Sequence, residues 1–243
     1  MAILQCGSRI LDLQHAQVMG ILNVTPDSFS DGGELFKHSK LSVENALVRA
    51  AKMVKEGASI IDVGGESTRP GAQTVTLQEE LDRVLPIVEL ISTELDVVIS
   101  VDTSQPEVIY NAAQLGAGII NDVRALSIPG ALAAAAESAL PICLMHMKGS
   151  PQDMQDAPVY TNVIDEVTAF FHERMAACID AGIASERLLL DPGFGFGKAL
   201  EHNLALLNRL EELHDFSLPL LIGTSRKSVI AGVLGRDVEQ RLA

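Results

Sequence analysis

Two spacings alternate along this chain. Short apolar runs rich in β-branched residues are separated by longer stretches whose apolar residues return every three or four positions, the first pattern suiting buried strands and the second amphipathic helices. The runs span Val18 to Val24, Ser59 to Val63, Val97 to Val101, Gly118 to Asn121, Pro141 to Met145, Arg187 to Leu190 and Pro219 to Ile222. Seven such βα repeats predict an α/β fold with a parallel sheet and a helix in each crossover. The helix starts are readable too. Thr76 and Glu79 fit a capping box ahead of an apolar stripe of Leu81, Val84, Leu85, Val88, Ile91 and Leu95. Ser104 and Glu107 predict a second box before Val108, Ala112 and Leu115. A longer helix carrying Val163, Val167, Phe170, Phe171, Met175, Cys178 and Ile179 is expected to end near Gly182. No compositional break interrupts the pattern, and 243 residues suit a single α/β barrel domain over 1–243.

The strands end in polar residues. Asn23, Asp62, Asp102, Asn121, His146 and Asp191 close the first six runs, and Thr224 and Ser225 lie just past the seventh. In parallel βα folds the carboxyl ends of all strands share one rim, where ligands bind. Amides, carboxylates and an imidazole gathered there predict a polar pocket at a barrel mouth. Asp and Asn are also common N-caps of the following helices, which accounts for part of the set. Asp102 fits that role poorly, because Ser104 is the better cap.

Four connecting segments are too unusual for plain connectors. Asn23-Val24-Thr25-Pro26-Asp27-Ser28-Phe29-Ser30-Asp31-Gly32-Gly33 exceeds the usual βα loop, and an aromatic such as Phe29 is expected there to cover a ligand, so the segment reads as a lid. In Gly64-Gly65-Glu66-Ser67-Thr68-Arg69-Pro70-Gly71 the glycines permit close backbone approach, Thr68 offers a hydroxyl, and Arg69 offers a forked cation suited to phosphate or carboxylate. Asp191-Pro192-Gly193-Phe194-Gly195-Phe196-Gly197-Lys198 has the spacing of neither a Walker loop nor a dinucleotide fingerprint. Gly223-Thr224-Ser225-Arg226-Lys227-Ser228 opens a helix, and a helix start flanked by Arg226 and Lys227 favours an anion.

Charge sharpens that reading. With 18 Lys+Arg against 32 Asp+Glu the net charge is −14, which argues against a nucleic-acid partner and leaves any anionic ligand dependent on local cations such as Arg69, Arg226, Lys227 and Lys198. The 47% hydrophobic content is enough for a full core, yet no apolar run reaches the roughly 18 residues that cross a bilayer. The first thirteen residues lack the continuous apolar centre of a secretory signal, so a cytoplasmic protein without a membrane partner is expected. Cys6, Cys143 and Cys178 have neither disulfide nor zinc spacing.

Together the motifs N-V-T-P-D-S-F-S-D-G-G, G-G-E-S-T-R-P-G-A, V-D-T-S, I-N-D-V, D-P-G-F-G-F-G-K and S-R-K-S, colinear from about Gln17 to about Ala231, resemble the bacterial dihydropteroate synthase family, the sulfonamide-inhibited enzymes of folate biosynthesis. The resemblance implies a TIM (β/α)8 barrel, often a homodimer. It also implies a transferase that joins 6-hydroxymethyl-7,8-dihydropterin diphosphate to 4-aminobenzoate and releases diphosphate with Mg²⁺ assistance. By the same matching Asp102, Asn121 and Asp191 bind the pterin edge and Lys227 contacts its ring, with Met145, Phe196 and Arg226 as neighbours. Asp31 stabilises positive charge developing on the pterin methylene carbon, and Asn23 is the Mg²⁺ position. Thr68 sits on the diphosphate side, while Arg69, Pro70, Phe29 and Ser228 shape the aminobenzoate pocket. The pterin is expected to bind first, the loops then completing the second pocket. The chain stops after seven βα units, so the family's eighth unit, with its Arg-x-His motif, is not part of it. Two other readings compete: a methyltetrahydrofolate-type pterin-binding methyltransferase, which has no reason to keep the lid and the Ser225 to Ser228 anion site, and a non-catalytic pterin-binding fragment.

Overall fold

The computed structural model describes residues 3–25, 36–37, 40–67, 75–149 and 158–241. Phe29 and Asp31 of the expected lid, and Thr68, Arg69 and Pro70 of the second loop, lie outside these residues.

The chain opens with an antiparallel hairpin, β1 (Ile3–Cys6) and β2 (Arg9–Asp12), that the sequence reading did not anticipate. Then come β3 (Met19–Asn23), the short pair β4 (Phe36–Lys37) and β5 (Lys40–Leu41), α1 (Val43–Lys55), β6 (Ile60–Gly64), α2 (Leu77–Glu94) and β7 (Val98–Asp102). They are followed by α3 (Pro106–Gln114), β8 (Ile119–Asp122), α4 (Ala131–Ser138), β9 (Ile142–Met145), α5 (Val163–Asp180), β10 (Leu188–Asp191), α6 (Leu200–Asn208) and α7 (Ser228–Leu234). The six longer wall strands form one sheet in the order β10-β9-β8-β7-β6-β3, and every pair in it is parallel. A parallel wall in which each strand neighbours the next along the chain, with helices outside, is the (β/α) barrel architecture.

The seventh predicted strand is much reduced. Leu220 bridges Leu190 in parallel, with Leu190 N–H donating to Pro219 O at 3.0 Å and Leu221 N–H to Leu190 O at 2.9 Å. Pro219 has no N–H to give, which limits the ladder at that end. Of the two predicted capping boxes, Thr76 and Glu79 form theirs reciprocally. The second is corrected: Gln105 is the cap residue of α3, Pro106 supplies the first turn, and Ser104 Oγ donates instead to Asp122. A tertiary acceptor outcompeted the local one.

Side chains alternate across the sheet. Leu22, Ile61, Val63, Ile99, Val101, Ile120, Ile142, Leu144, Leu188 and Leu190 point outward into the core shared with the helices. Ile60, Val98, Ile119, Cys143 and Leu189 point into the bore, where Leu4, Cys6 and Leu11 of the hairpin pack against them. The hairpin therefore closes the amino-terminal end of the barrel with apolar side chains, and the polar rows above it open toward the other end.

Candidate functional site

Strand register decides which residues share the upper bore. Asn23, Gly64, Asp102 and Asn121 lie in one row across β3, β6, β7 and β8, while Met145 and Asp191 pair at the ends of β9 and β10. These are the strand-borne residues that the sequence singled out, all on inward positions. Gly64 matters through what it lacks: a Cβ built there would lie 3.5 Å from both Asn23 Oδ1 and Asp102 Oδ2. Two oxygens thus converge on the space that a side chain would fill.

Asp62, one inward step below Gly64, joins the same constellation, as its place among the strand-end polar residues suggested, although no pterin contact was assigned to it. It is 3% exposed, and Asn121 Nδ2 donates to its two carboxylate oxygens at 3.3 and 3.4 Å. Burial raises the pKa of Asp62, Asp102 and Asp191. Asp102 is held well above the usual carboxylate range, first by burial and then by repulsion from Asp62, Asp122, Glu80 and Glu66. At Asp191 burial outweighs the Gly193 N–H that donates to Oδ1 at 2.7 Å and the nearby Lys227 and Lys198 charges. The bore thus concentrates buried acceptors whose desolvation outweighs the nearby cations, an arrangement suited to a ligand edge rich in N–H donors.

The opposite wall is built by the turn after β10. Lys227 donates through Nζ to Phe194 O, and its ammonium lies 4.4 Å from the centroid of the Phe196 ring. Its pKa is lowered by burial, with Asp191 opposing the shift. Lys198, weighed above as a cation for an anionic ligand, is corrected. It is 3% exposed, and its Nζ faces Gly193 O at 3.0 Å, Phe196 O at 3.1 Å, His146 O at 3.3 Å and His146 Nδ1 at 2.8 Å. A charge so enclosed cannot reach a ligand at the rim. Burial lowers His146 to about 3 and Lys198 to about 7, so the imidazole at this contact is neutral. Gly193 is required here: its φ is +69°, and a Cβ would come 1.9 Å from His146 O. Ser228 begins α7 beside Lys227 and is exposed, as is Arg226, whose backbone has φ 58°.

Outside the bore, paired groups fasten the loops. Arg124 grips Glu66 of the second loop with two bonds of 2.9 and 3.1 Å, Thr103 Oγ1 donates to Glu80 at 2.5 Å, and Asp122 accepts from Ser104 Oγ and from the N–H groups of Arg124 and Leu126. Among the described residues no group of three or more His, Cys, Asp or Glu is arranged to hold a metal ion. No helix among them is long and apolar enough to cross a membrane.

Comparison with known proteins agrees with this geometry. The family described as pterin binding enzyme matches residues 19–243. The dihydropteroate synthase of Escherichia coli (strain K12) is 60% identical over 233 residues, covering 96% of this chain and 81% of the relative. That of Haemophilus influenzae is 50% identical over 239 residues, covering 98% and 85%. A crystal structure of Yersinia pestis dihydropteroate synthase with a sulfonamide drug complex superposes with TM-score 0.94 at 52% identity, covering 99% of this chain and 86% of that one. The Xanthomonas albilineans dihydropteroate synthase with 4-aminobenzoic acid gives TM-score 0.90 at 48% identity, covering 99% and 84%.

Proposed function

Since this chain belongs to the pterin-binding enzyme family, among its dihydropteroate synthases, we propose a division of labour among the residues of its barrel mouth. The reaction is a transferase step of folate biosynthesis: 6-hydroxymethyl-7,8-dihydropterin diphosphate and 4-aminobenzoate give 7,8-dihydropteroate and diphosphate.

Asp102, Asn121 and Asp191 bind the amide and amidine edge of the pterin, whose N–H groups would each cost about 1–3 kcal/mol if buried unpaired. Asn121 turns its Nδ2 toward Asp62, so its Oδ1 is left for a ring N–H. Lys227, held over Phe196, contacts the ring from the other wall, with Met145 at the end of β9 as its apolar neighbour. As diphosphate departs, positive charge grows on the methylene carbon, and Asp31 stabilises it electrostatically. The aniline nitrogen of 4-aminobenzoate is neutral near pH 7 and attacks without a strong base, so no His-carboxylate dyad is needed. From the family resemblance we assign Thr68 to the diphosphate and Phe29, Arg69, Pro70 and Ser228 to the aminobenzoate, whose carboxylate the start of α7 would receive.

Mg²⁺ fits the site. Asn23 Oδ1 is a hard oxygen donor turned into the space before Gly64, and Mg²⁺ takes few protein ligands and completes its shell with water and phosphate oxygens. When bound there by Asn23 it supplies charge neutralisation to the departing diphosphate. We also read the enzyme as a cytoplasmic homodimer. Three buried free thiols suit a reducing compartment, and Leu204 and Leu207 of α6 with Val233 and Leu234 of α7 leave apolar surface for a second subunit.

The observation that carries the assignment is the row of Asn23, Gly64, Asp102 and Asn121 on inward positions, with Asp62 beneath it close enough to Asp191 for the two carboxylates to repel. Calorimetric titration with the pterin diphosphate tests it: Asp102→Ala and Asp191→Ala should abolish measurable binding, and binding like that of the parent in both would refute the assignment.

A further inference from the structure

The Gly193 to Phe196 turn is held by two lysines from opposite sides. Its Gly193 and Phe196 carbonyls accept from the enclosed Lys198, while the Phe194 carbonyl between them accepts from Lys227. Three acceptors of one short turn thus alternate between an ammonium buried behind the turn and one in front of it. Lys198 brings in a second element, because His146, just past β9, offers its Nδ1 and carbonyl to the same Nζ. An ammonium has three N–H donors, so the four partners within 3.3 Å leave none for solvent or ligand. The stem is anchored as well. Asn203 Nδ2 donates to Lys198 O at 2.9 Å, and Asn203 Oδ1 accepts from Gly195 N–H at 2.8 Å. Enclosing a charge is costly when a solvated lysine would leave the same chain intact, and what the arrangement secures is the shape of the turn.

We propose that Lys198 is a positioning residue of the pterin site, which ties the turn after β10 to the end of β9 and thereby sets the Phe194 carbonyl and the Phe196 ring that hold Lys227. The inference rests on the reading that Lys227 contacts the pterin. Lys198 itself touches no substrate; it acts by fixing which way each carbonyl of the turn faces. The depression of its pKa to about 7 is consistent with an amine whose surroundings were chosen for geometry rather than for charge.

The experiment is a double-mutant cycle on the full chain, read as the dissociation constant of the pterin diphosphate by calorimetry, with thermal unfolding as the folding check. Lys227→Met is expected to weaken binding about tenfold, Lys198→Met to weaken it similarly, and the double variant to bind like Lys227→Met alone, because contacting residues in one network are not additive. In steady state, Lys198→Met should raise KM for the pterin diphosphate far more than KM for 4-aminobenzoate. Lys198→Arg keeps the charge but cannot place three donors on the same carbonyls, and it is carried through the same cycle in case Lys198→Met does not fold. Parent-like binding by the folded Lys198 variants, or losses that multiply with that of Lys227→Met, overturns the positioning role alone. Parent-like binding by Lys227→Met overturns the Lys227 assignment and this inference with it.

Discussion

Asp102→Asn should make the free protein more stable and a worse binder. The substitution preserves the size and shape of the side chain. It removes a charge whose proton affinity is raised by burial and by Asp62, Asp122, Glu80 and Glu66. Relief of that repulsion is worth about 1 kcal/mol near neutral pH, which for a chain of this length raises Tm by about 2–4 °C. Loss of the anionic acceptor costs pterin binding about 1–3 kcal/mol, roughly a five- to 150-fold weaker complex. The pH dependence carries a sign. A carboxyl whose folded pKa lies above its unfolded pKa binds its proton more tightly when folded, so its contribution to stability is fullest below the unfolded value and is lost as pH rises through the folded one. Asparagine has no such term. The Tm advantage of the variant should therefore widen between pH 5 and pH 8 and close as pH falls. Thermal unfolding by circular dichroism across that range, with calorimetric pterin titration at pH 8, gives both readings. A variant that melts lower than the parent at every pH while binding pterin normally would refute the electrostatic reasoning.

Gly64→Ala places a methyl group 3.5 Å from Asn23 Oδ1 and Asp102 Oδ2, an ordinary contact with no backbone strain. The fold should survive while pterin affinity drops about tenfold, a loss in the range set by one displaced polar contact; unchanged affinity would show that the space before Gly64 is not used. Leu4→Ala empties a site that is 2% exposed at the closed end of the barrel and should cost about 2–5 kcal/mol of stability by denaturant titration, without changing KM for either substrate. Asp31→Ala should cut product formation by orders of magnitude in a coupled diphosphate-release assay and leave pterin affinity nearly unchanged; normal turnover would remove its charge-stabilising role.

Much of the scaffold was legible because strands and helices impose different periods, and six of the seven apolar runs became strands with bounds within two residues. The departures share a physical cause, in that each was decided by a distant partner. Ser104 looks like a cap from its neighbours alone, yet Asp122 lies within reach and accepts its hydroxyl hydrogen bond. The hairpin of β1 and β2 offers only four residues a side, too few for alternation to stand out, and its burial depends on a bore assembled from later strands. The rim set Asn23, Asp102, Asn121 and Asp191 was visible because polar residues interrupt apolar runs at their ends. Asp62 was read in the same way, as a polar residue at the end of its run, but only the register makes it a neighbour of Asn121. Lys198 and Lys227 illustrate the limit best. Both read as cations on glycine-rich loops, and only the folded turn separates one turned to the bore from one turned away.

The apolar hairpin beneath the bore makes the barrel a blind shaft rather than a tunnel. A guest seated against that closed end is expected to enter ahead of one lodged above it and to leave after it. A compound that occupies only the mouth should then act as a stopper, prolonging the residence of the heterocycle below it without touching a single one of its contacts.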